Sequence, residues 1–345
     1  FFNIGLVKCT FYYCELFYFY IMHYIEKYQK GFNDYVETFI LPNQPEGLYD
    51  PISYMLSLGG KRLRPVLTLM VTDIFNENYK KALDAAMAVE VFHNFTLVHD
   101  DIMDAAPLRR GKQTVHEKWD LNTGILSGDA MLILAYQLFE NYEGIMFKSL
   151  ISLFSKTAIE VCEGQQYDIE FESRTNVTIP EYLKMIEYKT AVLVGASMKM
   201  GAIVARVPPK DQDSMYEFGK YLGIAFQLQD DYLDAFGDSE TFGKQIGGDI
   251  VENKKTYLFL KAMELSGSTL KLSLLDLYKD ERIKGDNEIN KVKQIFQETG
   301  AALQTKKIIE EYTQKAFQVL DDLNITSEKK IFLRQFGTSL MDREV

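Results

Sequence analysis

The chain has 345 residues, 47% of them hydrophobic and 25% charged, with a net charge of -11. That acidity argues against nucleic acid as a partner, because phosphate backbones are gripped by basic surfaces. Eight prolines, 22 glycines and little apolar/polar alternation argue against a sheet protein.

Residues 1–21 are crowded with Phe and Tyr but carry Lys8 and Glu15 and no small-residue cleavage site. They make a poor signal peptide and a poor spanning helix, so no stable membrane insertion is expected. The expectation is a non-native or upstream-translated leader at 1–21 ahead of Met22, then one all-α domain over 22–345. Cys9, Cys14 and Cys162 are odd in number and lack metal spacing, which fits a reducing cytoplasm rather than a disulfide scaffold.

Helical patterning predicts helices over 22–40, 48–58, 65–76, 79–105, 123–142, 146–172, 180–206, 212–236, 255–266, 268–279, 287–320 and 326–341. The breakers fall between them: Pro42, Pro45, Gly59-Gly60, Pro107, Pro180, Pro208-Pro209 and Gly247-Gly248.

Between the second and third helices stands Gly59-Gly60-Lys61-Arg62-Leu63-Arg64-Pro65. Its glycines allow close approach of an anion, and Pro65 suits the opening of a helix whose N-terminus favours negative charge. The long fourth helix ends in Asp100-Asp101-Ile-Met-Asp104, and Asp230-Asp231-Tyr-Leu-Asp234 repeats that spacing 130 positions later. Positions i, i+1 and i+4 put three carboxylates on one side of a helix. They repel one another, so the pattern calls for divalent cations. Arg109-Arg110-Gly111 follows the first cluster; Gly243-Lys244 and Asn253-Lys254-Lys255 follow the second. Acid followed by base, twice, suits two diphosphate sites, one assisted by metal, with arginine offering bidentate contacts. Asp321-Asp322 lacks the third carboxylate and the trailing bases, and is read as a solvated helix face.

These motifs occur in one order: GGKRLRP at 59–65, HDDIMD at 99–104, LRRG at 108–111, GQQYD at 164–168, YKT at 188–190, FQLQDDYLD at 226–234 and GK at 243–244. From about Tyr28 to the C-terminus the chain resembles the trans-isoprenyl diphosphate synthases, the makers of farnesyl, geranylgeranyl and longer polyprenyl diphosphates. The resemblance implies an all-α bundle with a central cavity between the two DDxxD helices. It also implies Mg²⁺, three ions bridging the allylic diphosphate, and a homodimer acting on isoprenoid diphosphates. Lys61, Arg64, His93 and Arg110 are expected to bind isopentenyl diphosphate. Asp100, Asp104 and Asp230 are expected to ligate magnesium, supported by Asp101, Asp231 and Asp234. Arg109, Lys189, Lys244 and Lys254 are expected on the allylic diphosphate, Thr190 and Gln227 at the reacting centre, and Gln165 and Asp168 nearby. His99 is read as a core histidine.

A class I terpene cyclase shares the ionisation chemistry but usually has a different second motif and no need of GGKRLRP. A dead regulatory subunit should have lost its aspartates, and both clusters are intact here.

Phe95 and Thr96 lie five and four residues before Asp100, about one turn deeper. Phe95 is expected to act as a floor and Thr96 to leave room, a pairing that resembles C20 producers; farnesyl and C30–C40 products are the alternatives. Phe95→Ala should therefore lengthen the product, as read by product chromatography. An unchanged length removes Phe95 as the floor.

Overall fold

The computed structural model describes residues 23–237, 247–279 and 285–341. The leader over 1–21 and Lys244 lie outside the described residues.

The first helix, α1, covers 23–38. It is followed by α2 (Glu46–Ser57), α3 (Leu63–Ile74) and α4 (Leu83–Met103), then by strands β1 (Leu108–Arg109) and β2 (Lys112–Gln113). Next come α5 (Val115–Lys118), α6 (Leu121–Gln137), α7 (Gly144–Ser173), α8 (Ile179–Ile186), α9 (Val192–Val204) and α10 (Pro209–Phe236). The remainder is α11 (Gly248–Val251), α12 (Tyr257–Leu265), α13 (Ser268–Lys279), α14 (Asp286–Glu298), α15 (Ala301–Asp321) and α16 (Ser327–Met341). The all-α expectation holds, and both acidic clusters end long helices, α4 and α10.

Four local features depart from the expected pattern. The 108–113 segment forms a two-stranded hairpin instead of a plain loop. The helix expected over 287–320 breaks at Gly300, whose φ of +79° is open to glycine at little steric cost. The helix expected over 180–206 widens into a π turn at Glu187–Ala191. Pro65 does not open α3. It sits third in that helix, still within the first turn, where its missing N–H is not needed.

The chain divides into two compact units, 23–155 with 196–215, and 156–195 with 216–341. In the first unit α4 lies along α6 through glycines. A Cβ on Gly128 would sit 2.2 Å from His99 Nε2, and one on Gly124 would sit 2.9 Å from the Ile102 Cδ1 atom. The acidic end of α4 is thereby set on α6. Beneath it the rings of Phe92, Tyr136, Phe139 and Phe154 interlock, with Phe154 at 4.8–5.2 Å from the other three. Burial of each such side chain is worth about 1.5–3 kcal/mol.

The helix α3, which carries Arg64, is pinned by hydroxyl–carbonyl contacts. Thr68 donates to the Ser197 carbonyl at 3.0 Å, and Thr72 to the Gly201 carbonyl at 3.1 Å. In the second unit Leu228, Tyr257, Phe259, Val292, Phe296 and Ala301 belong to one apolar core. Among the described residues, no helix is long and apolar enough to cross a membrane.

A Cβ on Gly201 would lie 2.3 Å from the Thr68 carbonyl oxygen, a backbone atom that cannot swing aside. Gly201→Ala should lower stability by about 1–3 kcal/mol, the usual cost of overpacking. Urea unfolding measures this, and an unchanged midpoint would refute the close contact.

Candidate active site

The first unit gathers the first acidic cluster and the GGKRLRP segment. Asp101 is 1% exposed and accepts a forked contact from Arg109, whose Nε lies 2.8 Å from both carboxylate oxygens and whose Nη2 lies 2.6 Å from Oδ1. A buried carboxylate needs such a partner. Asp101 therefore holds Arg109 in place, while Asp100 is half-buried and Asp104 is exposed at the helix end. Carboxylates at a helix C-terminus also meet the negative pole of the helix dipole, which adds to the demand for cations.

The turn between β1 and β2 is Arg110-Gly111, with φ of +53° and +73°. Both central residues are left-handed, as in the tight primed hairpin turns. This aims Arg110 at the glycine pair, where its guanidinium donates to the Gly59 carbonyl. A Cβ on Gly60 would stand 2.8 Å from the Arg110 Cζ atom. Gly60 thus makes room for a protein cation.

Arg64 donates to His93 Nε2 at 3.0 Å. A guanidinium cannot accept, so Nε2 is the acceptor and the imidazole proton sits on Nδ1. Burial, and then the charges of Arg64, Arg110, Arg109 and Arg62, hold the His93 ring well below the ordinary histidine range. Lys61 is exposed beside it on the chain. Lys61, Arg64, His93 and Arg110 therefore belong to one region of α4, the hairpin and the 59–64 loop. Arg62, absent from the expected site, is buried against Glu90.

The floor residues lie further along α4. Phe95 is 8% exposed, with its ring 5.5 Å from Phe92 and 4.8 Å from His99. Thr96 is half-buried and bonds the His93 carbonyl at 2.8 Å. His99 is half-buried against α6, with Nε2 3.3 Å from the Ile125 carbonyl and 3.9 Å from the exposed Asp129 carboxylate, so it sits at the edge of the core and not inside it.

The second unit holds a cavity of about 220 Å³, whose lining includes Asp168, Lys189, Thr190, Gln227, Asp230, Asp231, Asp234, Asp249 and Lys254. Among the carboxylates of the lining Asp231 is the buried one, at 7% exposure. Tyr182 donates its hydroxyl to one oxygen, and Gln227 Nε2 donates to the other at 2.9 Å. Burial and neighbouring Asp249 push the Asp231 carboxyl up; those two hydrogen bonds pull the other way without reversing it. Gln227 accepts in turn from the Thr190 hydroxyl at 3.1 Å, so Thr190, Gln227, Asp231 and Tyr182 form one chain.

Lys189 and Thr190 ride on the π turn, a feature frequent at functional sites. Two glycines grip that turn. A Cβ on Gly164 would lie 2.2 Å from the Lys189 nitrogen, and one on Gly223 would lie 2.7 Å from the Ala191 Cα. One helical turn past Gly164, Asp168 pairs with the Lys189 ammonium. Gln165 is half-buried beside Gly164 and is not part of the cavity lining.

The segment after α10 folds back on the second cluster. Asp234 accepts from the Asp249 backbone N–H at 3.0 Å, and Asp249 lies 3.5 Å from the Lys254 ammonium. Burial alone would lower the Lys254 pKa, but Asp249 and Glu252 outweigh it and raise it. Lys255 is used structurally, donating to the last carbonyls of α7 at Phe171 and Glu172 (2.7 and 3.0 Å).

Sequence reasoning missed Arg62, Glu90, Tyr182 and Asp249. Glu90 carried a signal, as a lone charge inside the apolar run from Ala85 to Phe92. Tyr182 carried none.

Among the described residues no group of three His, Cys, Asp or Glu side chains closes a metal cage. Mg²⁺ does not ask for one, because it keeps several waters and takes one or two carboxylates plus substrate phosphates. The second aspartate of each cluster is buried on protein hydrogen bonds, while Asp100 and Asp230 are half-buried and Asp104 is exposed on the same helices.

Residues 45–299 match the family model described as polyprenyl synthetase. The chain is 35% identical over 326 residues to the geranylgeranyl pyrophosphate synthase of Geoglobus acetivorans, covering 94% of this chain and 99% of that one. It is 36% identical to the geranylgeranyl diphosphate synthase of Methanosarcina mazei, covering 88% and 93%. A crystal structure of a geranylgeranyl pyrophosphate synthase superposes with a TM-score of 0.88 at 52% identity, over 93% of this chain and 99% of the other.

His93 gives a pH test. Its folded pKa is depressed, so below about pH 6.5 the unfolded chain takes a proton that the folded chain refuses. Stability should fall as pH drops through that value, by at most about 1.4 kcal/mol per pH unit from this group. His93→Gln should show a shallower acid slope in chemical denaturation. Equal slopes would show that His93 is not held neutral.

Proposed function

The chain belongs to the polyprenyl synthetase family, and from that premise we propose geranylgeranyl diphosphate as its product and the residues that make it. It is a trans-prenyltransferase that lengthens an allylic diphosphate with isopentenyl diphosphate and releases diphosphate. The observation that carries the residue assignment is the shared construction of the two motifs. In each, the middle aspartate is buried on protein partners and the outer ones remain at the helix end.

Asp100, Asp104 and Asp230 would hold Mg²⁺, with three ions on the allylic diphosphate. When bound, the metal neutralises the charge that develops on the leaving diphosphate. Arg109, kept in position by Asp101, binds the same diphosphate with Lys189, Lys244 and Lys254. Asp168 keeps Lys189 beside the cavity until the diphosphate arrives. Asp231 and Asp234 act in support, Asp231 by orienting Gln227 and Asp234 by fixing the Asp249 turn. Gln165 backs the same region from α7.

The allylic C–O bond breaks with its electron pair leaving on diphosphate, which makes an allylic carbocation. Thr190 donates its own proton to Gln227, so it offers lone pairs rather than a positive hydrogen to that cation. The double bond of isopentenyl diphosphate attacks, held by Lys61, Arg64, His93 and Arg110. A proton is then lost to the released diphosphate, and no protein base is assigned.

Product length follows from Phe95, buried on Phe92, beside the smaller Thr96. The geranylgeranyl names of the relatives from Geoglobus acetivorans and Methanosarcina mazei support C20. We place the enzyme in the cytoplasm as a homodimer. Ile125, Leu126 and Ile133 on α6 are 40%, 60% and 58% exposed, an apolar stripe suited to a second copy of the chain.

Purified protein incubated with Mg²⁺, isopentenyl diphosphate and each allylic primer should give the C20 diphosphate. A C15 or C30–C40 product would correct the length, and consumption of allylic diphosphate alone would indicate a cyclase. Asp100→Ala and Asp230→Ala should each lower kcat about 10²-fold or more and raise the Mg²⁺ requirement, with the circular dichroism unchanged. Unmutated rates in either variant would refute the assignment.

A further inference from the structure

Under the proposed isopentenyl diphosphate site lies a group that no part of the chemistry above uses. Arg62 has a side chain only 3% exposed and a left-handed backbone with φ of +48°. A non-glycine residue held there is strained, and such strain persists only where surrounding contacts over-determine it. The contacts are visible. The Arg62 guanidinium pairs with Glu90, itself 3% exposed, and donates through Nη2 to the Leu56 carbonyl. Asn94 Nδ2 reaches Glu90 Oε1 at 3.2 Å, so α4 itself steadies the carboxylate.

The pair sits at the root of the site. Arg62 joins Lys61 to Leu63 and Arg64, while Glu90 is one turn before His93, the partner of Arg64. Glu90 is also the anion whose field favours the charged forms of both Arg64 and Arg110. Burial in an apolar run would otherwise penalise so many guanidiniums. The buried Nε atoms of Arg62 and Arg64 have no protein partner, and neither has the buried Oδ1 of Asn94, so the guanidiniums rest on the Glu90 charge more than on a complete hydrogen-bond network.

We infer that Glu90 and Arg62 are positioning residues for isopentenyl diphosphate. Their buried ion pair locks the left-handed turn that presents Lys61 and Arg64, and neither residue touches the substrate. Glu90 is the internal anion that lets the cations assemble before the diphosphate arrives. This rests on the assignment of Lys61, Arg64, His93 and Arg110 above.

The test is the split between Michaelis constants in Glu90→Gln and Arg62→Lys. Glu90→Gln removes the charge but keeps the shape; Arg62→Lys keeps the charge but loses the fork that spans Glu90 and Leu56. Both should raise the KM for isopentenyl diphosphate on the order of ten- to a hundredfold, the scale of a misplaced binding group. The KM for the allylic diphosphate, and its slow hydrolysis without isopentenyl diphosphate, should stay at the unmutated values. If Glu90→Gln does not fold, Arg62→Lys carries the test alone.

Equal shifts in both Michaelis constants would make the pair merely structural and overturn the proposal. Tighter isopentenyl diphosphate binding in Glu90→Gln would do the same, because Glu90 would then be only an opposing charge. Exposed Lys61→Gln separates the two levels. If it leaves the KM unchanged, the site assignment fails and the proposal falls with it. If it raises the KM while the pair variants do not, the proposal alone fails.

Discussion

The constraint on which the site depends is the cost of burying a carboxylate. Each DDxxD motif pushes its middle aspartate out of water, Asp101 on α4 and Asp231 on α10. A buried carboxylate must find donors or give up its charge. Asp101 finds Arg109, and the forked contact turns a flexible arginine into a fixed one. Asp231 finds Tyr182 and Gln227, and through Gln227 it reaches Thr190. One motif thus orders an arginine and the other orders a chain of neutral groups, Tyr182, Gln227 and Thr190. The outer aspartates stay closer to the surface, Asp100, Asp230 and Asp234 half-buried and Asp104 exposed.

Backbone strain recurs around the first of these motifs. Arg62, Ala105 and Arg110 all have left-handed φ values, between 47° and 53°. They stand in the basic loop, just past the first acidic cluster and in the hairpin. Such conformations cost about 1–3 kcal/mol each and survive where tertiary contacts insist on them. Glycine serves the opposite purpose nearby. Gly60 admits the Arg110 guanidinium, and Gly164 lets α7 press against the π turn that carries Lys189 and Thr190. The glycines of GGKRLRP and GQQYD are therefore sites of close approach, one to a side chain and one to backbone.

The helices were legible because an apolar face with a 3.6-residue period survives whatever packs on it. The breaks at Pro208-Pro209 and after Ser57 followed from proline and glycine in the same way. The π turn was not legible, since Tyr188-Lys189-Thr190 has ordinary helical composition and its extra width comes from packing beside Gly164 and Gly223. Nor was the hairpin, because Arg110 is a rare residue for a left-handed turn position and is kept there by the Gly59 carbonyl.

By itself the sequence determined the chemistry on offer: two carboxylate triplets at helical spacing, each followed by cations, in an acidic all-helical chain. Charge and periodicity are properties of neighbours along the chain, so they can be read without coordinates. Which aspartate is buried as a scaffold and which stays nearer the surface was decided by tertiary structure alone. Asp100 and Asp101 are adjacent and chemically identical, and only burial separates them. The same holds for Arg62 and Arg64, one spent on Glu90 and the other paired with a neutral histidine. Burial depends on what residues distant in sequence place around a side chain, and no local pattern encodes it.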